Sequence, residues 1–82
     1  MITTAQVKAA QSNIGMMESY GMISASVSGL AYGVLGRVAE AEDVTVAVDQ
    51  QIARLEAEMA ATGDWGFQAR AEFALKTLKG LK

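Results

Sequence analysis

The feature that most constrains this chain is a helical rhythm with nothing to interrupt it. Proline, the strongest helix breaker, is absent from all 82 residues. Met16, Tyr20, Ile23, Val27, Leu30 and Val34 recur at alternating steps of four and three. Residues so spaced share one helix face, and a seven-residue repeat is what coiled-coil-like packing requires. Val7, Ala10, Ile14 and Met17 form a second, weaker seam beside it. Thr3 and Gln6 have the spacing of a capping box, which predicts a helix start at that point. The rhythm predicts one helix over residues 4–42, with Gly21 as the place where it could break.

A third seam runs alongside. Ser12, Gly15, Ser19, Met22, Ser26, Gly29, Gly33 and Gly36 also follow the three–four alternation, and all but Met22 are small. A stripe of nearly bare backbone lets another helix approach closely, as small-xxx-small contacts do between membrane helices. An interior glycine costs roughly 1 kcal/mol relative to alanine. Such a stripe is therefore expected to be a contact, and Ser19, Met22, Ser26, Gly29, Gly33 and Gly36 are candidate interface residues. A strand reading competes locally. Residues 23–28 and 44–48 alternate apolar and polar and could pair as a hairpin. The helical rhythm extends much further on both sides and is preferred.

The second half is more conventional. Asp43 or Thr45 can cap a helix whose apolar face is Val48, Ile52, Leu55 and Met59. The β-branched cluster at 44–48 predicts a break just before it. Gly63 suits the position just past a helix end. Asp64 can cap a last helix with Trp65, Ala69, Phe73 and Leu78 directed inward, ended by Gly80. Trp65 has two readings, a cover for the small core or an exposed contact residue of the kind common in interface hot spots. Lys76 and Lys79 fall in the last turn, where cations oppose the helix dipole.

Charge is unevenly distributed. Residues 1–39 carry a net +1, residues 40–64 a net −6, and residues 65–82 a net +3. An acidic middle and a basic tail can pair within one chain or between neighbours, which adds Lys76 and Lys79 to the interface candidates. The total of −2 provides no basic field for nucleic acid, so no nucleic-acid partner is expected.

The missing residue types remove most site chemistry. With no histidine or cysteine there is no serine–histidine–aspartate triad, no cysteine nucleophile, no disulfide and no zinc centre of the usual kind. Glu40, Glu42 and Asp43 cluster, but beside an expected helix start they read as capping residues. GLAYGVLG contains glycines without the lysine of a phosphate loop. No cofactor and no metal are expected, and no catalytic activity. The N-terminus lacks the basic and apolar blocks of a signal peptide. Nothing in the sequence indicates a compartment. Residues 19–36 carry no charge, but their serines, tyrosines and glycines are poor membrane-spanning material.

The expectation is therefore a single all-α domain over residues 1–82. It would comprise a long N-terminal helix and two shorter helices, arranged as a helical hairpin or small bundle that completes its core by oligomerisation. Small domains without disulfides or metals commonly gain stability by association. The expected function is that of a structural, self-assembling subunit of a ring, bundle or filament, acting through protein–protein contacts with copies of itself. A small soluble protein that inhibits or adapts one other protein is the alternative. A membrane-embedded hairpin is disfavoured.

Overall fold

A computed structural model describes residues 1–82 as four helices with no strand: α1 (Thr4–Ser19), α2 (Ala25–Ala39), α3 (Val44–Ala61) and α4 (Trp65–Gly80). The capping residues account for most of these boundaries. Thr3 opens α1 with a complete capping box: its N–H donates to Gln6 Oε1 (2.7 Å), and Gln6 N–H donates to Thr3 Oγ1 (3.2 Å). Asp43 opens α3 by accepting from Val46 N–H (3.1 Å). Asp64 opens α4 by accepting from the N–H groups of Gly66 and Phe67. Each cap satisfies donors that the first helical turn leaves unpaired.

The single helix expected over 4–42 is instead two helices, so the bundle has four helices rather than three. The break is a Schellman motif. Gly21 adopts φ +74°, a left-handed conformation that only glycine enters at little cost. Gly21 N–H donates to the Glu18 carbonyl (3.0 Å) and Met22 N–H to the Met17 carbonyl (2.8 Å). Ser24 then caps α2 by accepting from Val27 N–H (3.2 Å). The alternation of residues 23–28 reflects this cap and the first turn of α2, and residues 44–48 open α3; neither segment is a strand.

The path of the chain is fixed by three links at one end. Ile2 N–H donates to Thr45 Oγ1 (3.1 Å), Lys82 pairs with Asp49 (2.7 Å), and Lys79 with Glu56 (3.2 Å). The start of α1, the start of α3 and the end of α4 therefore lie together. The α1–α2 and α3–α4 turns each lie a helix length away from those links, and the region they occupy is called here the turn end. Helix α2 packs against each of the other three, and α3 packs against α4.

Six of the most deeply buried side chains are Val7 from α1, Val34, Leu35 and Val38 from α2, Val48 from α3 and Leu78 from α4. All four helices thus contribute to one core within a single chain. Only 16 of 82 residues are buried, because the molecule measures 32 × 32 × 17 Å. A slab less than two helix diameters thick, at about 10 Å per helix, leaves almost every helix with an outer face.

Of the four residues expected to face inward on α4, only Leu78 is fully buried. Ala71, Ala74, Leu75 and Leu78 are buried, and Phe73 is only half-buried. Trp65 and Ala69 are exposed. Once Asp64 fixes the helix start, Trp65 occupies the first helical position, off the core stripe. The uncharged 19–36 stretch is divided between the end of α1, the turn and α2, and no helix is long and apolar enough to cross a membrane.

Candidate interaction surface

Seven large apolar side chains are exposed, and four of them, Met16, Tyr20, Met22 and Trp65, lie in or near the α1–α2 and α3–α4 turns. Trp65 is 90% exposed, Tyr20 76%, Met22 68% and Met16 51%. Tyr20 and Met22 flank Gly21 within the Schellman turn, and Met16 lies one helical turn before it. Trp65 opens α4 just after the α3–α4 turn. Exposed groups of large apolar residues mark contact surfaces more often than isolated ones do. Tryptophan, tyrosine and methionine are also the residue types enriched at protein interfaces.

A shallow groove of about 360 Å³ between α1 and α2 adjoins this end, lined by Gly15, Glu18, Ser28, Gly29, Tyr32 and Gly33 among others. The small-residue seam divides here into two kinds of position. At Gly15, Gly29 and Gly33 an added Cβ would meet no atom within 4 Å, so these glycines are not holding two helices together inside the chain. At Gly36 an added Cβ would lie 3.2 Å from Gln11 Nε2. The same amide donates to the Tyr32 carbonyl (3.1 Å), so Gly36 makes room for a side chain that bridges α1 to α2. Ser19 is exposed and turns its hydroxyl back to donate to the Gly15 carbonyl (3.0 Å). Ser26 is exposed at the start of α2. Ser19, Met22 and Ser26 lie around the α1–α2 turn with Gly29 and Gly33 along the adjoining groove, and Trp65 lies at the α3–α4 turn. Gly36 faces Gln11, and Lys76 and Lys79 lie on the later turns of α4.

Sequence reasoning missed Met16, Tyr20 and Tyr32 as surface residues. Met16 and Tyr20 had been assigned to the packed seam. The pairing of Gly21 with Ser24, a helix-ending glycine and a cap three residues on, was the available signal. Tyr32 is half-exposed over the α1–α2 groove, and no sequence signal separates it from a core position.

Part of the charge asymmetry is met within the chain, by two ion pairs between the tail and α3. Lys79 pairs with Glu56 and Lys82 with Asp49, bringing the basic tail against the acidic α3. Lys76 has no acidic partner. It borders a groove of about 350 Å³ between α1 and α4, together with Ile14, Met17 and Phe73. Both ion pairs are about half-exposed, and exposed pairs contribute little. The Lys79→Ala/Lys82→Ala double variant is expected to lower unfolding stability by less than about 1 kcal/mol in urea titrations, and less still at high salt. A loss of several kcal/mol would mean that these lysines hold more than two surface carboxylates.

No group of three or more acidic side chains is placed to hold a metal ion. Asp43 faces the first turn of α3 as its cap, which gives the Glu40–Glu42–Asp43 cluster a structural use. No protein-family model matches the chain, and comparison with curated proteins and with solved structures gave no match either.

Proposed function

We propose that this protein works by protein–protein contact, that its contact face is the turn end with the adjoining α1–α2 groove, and that a second copy of the chain is the partner. The observation that carries the reading is the exposure of Met16, Tyr20, Met22 and Trp65, all in or near the two turns, while the core closes elsewhere. A chain with so few buried residues has little apolar surface to leave in water without use. The face suits a subunit of a ring, bundle or filament, as the small-residue seam also suggests.

A second reading, a small binder of one other protein, draws on the same face. It is favoured by the closure of the core within one chain, which makes a folded monomer self-sufficient. Solution mass separates the two. Self-association between micromolar and about 1 mM supports the first, and a monomer throughout that range favours the second.

Trp65 provides the test of the face. Trp65→Ala should leave the melting temperature nearly unchanged, because an exposed side chain contributes little to folding. The same change should weaken association at least about thirtyfold if the indole is an interface anchor. As the only tryptophan, Trp65 also reports directly: its emission should shift to shorter wavelength with rising protein concentration. Unchanged emission across the association range would remove Trp65 from the contact.

A further inference from the structure

The apolar seam that predicts a single helix does not stop at the turn. Met16, Tyr20, Ile23, Val27, Leu30 and Val34 keep their helical spacing straight across Gly21. In the closed hairpin this seam is poorly used. Met16 and Tyr20 are exposed, Ile23, Val27 and Leu30 are only partly buried, and Val34 alone is fully covered. The break depends on few features: the left-handed Gly21, two turn hydrogen bonds and the Ser24 cap. No proline enforces it. Straightening residues 20–24 would exchange the turn hydrogen bonds for helical ones and join the two halves of the seam.

We infer that the α1–α2 hairpin is a switch, and that it opens into one continuous helix over residues 4–39 that exchanges α1 between two copies of the chain. The open helix would be about 54 Å long at 1.5 Å per residue. In the exchanged dimer, α1 of one copy packs on α2 of the other and remakes the same contacts, including Gln11 against Gly36 and Ile2 against Thr45. The only new requirement is a helical hinge. Exchange of identical elements is a low-cost route to a dimer because nothing is lost except the closed turn. The opened seam lines up Met16 and Tyr20 with the uncovered parts of Ile23 and Val27, a short apolar stripe at helical spacing on which the two central helices can pack near the hinge. The inference deepens the self-association reading and rests on it.

The hinge residue sets the balance. Alanine at position 21 disfavours the left-handed conformation and favours helix. Each effect points toward the open form. Gly21→Ala should tighten dimerisation about tenfold per chain, so about a hundredfold in the dimer dissociation constant. Asparagine tolerates the left-handed region better than alanine, so Gly21→Asn should tighten it less.

Exchange is read separately from association. The chain has no cysteine, so one batch can carry Gln11→Cys alone and another Gly36→Cys alone. The two are mixed, unfolded and refolded together at high concentration, then treated with a short bis-maleimide. Exchange places position 11 of one copy beside position 36 of the other and gives a covalent two-chain product. The experiment is run with Gly21 and with Gly21→Ala, so a folding failure of the variant still leaves the parent result. A two-chain product enriched by Gly21→Ala supports the switch. Dimers without that product overturn the exchange and leave self-association standing. A monomer in both backgrounds overturns both.

Discussion

Leu35→Ala should lower the unfolding free energy by about 3 kcal/mol, the largest single loss we expect from one side chain. Leu35 is 1% exposed on α2, the helix that touches all three others. Truncating a buried leucine removes its transfer free energy and leaves a cavity, at a cost of about 2–5 kcal/mol. The higher part of that range applies where neighbours cannot collapse inward. Here Val34 and Val38 lie on the same helix, and Val48 and Leu78 are anchored on helices capped by Asp43 and Asp64. A domain of this length has roughly 4–12 kcal/mol in total, so the variant forfeits a large share. The melting temperature should fall by about 12–24 °C. Val46→Ala on the half-exposed face of α3 is the control and should cost under about 0.5 kcal/mol. Urea midpoints measure both. A Leu35→Ala loss below about 1 kcal/mol would mean that α2 is not the centre of the bundle.

The parts of this fold that were legible in the sequence are those set by one or two neighbouring residues. Thr3 with Gln6, Asp43 and Asp64 each carry a local hydrogen-bonding preference and each caps a helix where it lies, whereas α3 ends through an extended Thr62 and Gly63 does not use the left-handed conformation expected of it. The α1–α2 break was harder because two signals conflicted. The apolar spacing runs uninterrupted through residues 16–34, while Gly21 and Ser24 mark a stop and a start. Without proline to settle the matter, the outcome depends on tertiary packing: bending places Val7 and Ile14 of α1 against the same core as Val34 and Leu35 of α2. That gain is long-range and leaves no mark on spacing. Trp65 was ambiguous for a related reason. Its spacing of four from Ala69 and eight from Phe73 admits an inward direction, but the buried stripe of α4 is defined by Ala71 and Ala74, whose small side chains give weak signals. Of the exposed apolar residues, Met22 falls on the small-residue seam and Trp65 admits two readings, while Met16 and Tyr20 fall on the apolar seam, whose spacing reads as packed.

Gly29→Ala and Gly33→Ala together should raise the stability of the isolated chain by about 1.5–2 kcal/mol. Both glycines lie inside α2, and a Cβ at either would enter open space. Glycine to alanine in an exposed helix interior gains about 0.8–1 kcal/mol per site, because alanine has less backbone freedom to lose on folding. For a domain of this size the gain is about 6–15 °C in melting temperature. Such a gain left unused invites a reason, and close approach by a partner helix is the steric one. At Gly33 the helix surface is backbone, so a partner axis can come nearer than the usual 8–10 Å. Gly33→Leu sharpens the contrast by placing a branched side chain on that surface. In dilute solution it should stabilise the monomer by most of 1 kcal/mol. At concentrations where the chain associates, overpacking should cost about 1–3 kcal/mol at each interface that uses the groove. The two measurements should therefore move in opposite directions, with a higher melting temperature for the monomer and a weaker dimer by sedimentation. An exchanged dimer that leaves the α1–α2 groove open would show the first effect without the second. A Gly33→Leu chain that melts higher and associates as tightly as the parent would assign the groove to solvent and confine the contact to Met16, Tyr20, Met22 and Trp65.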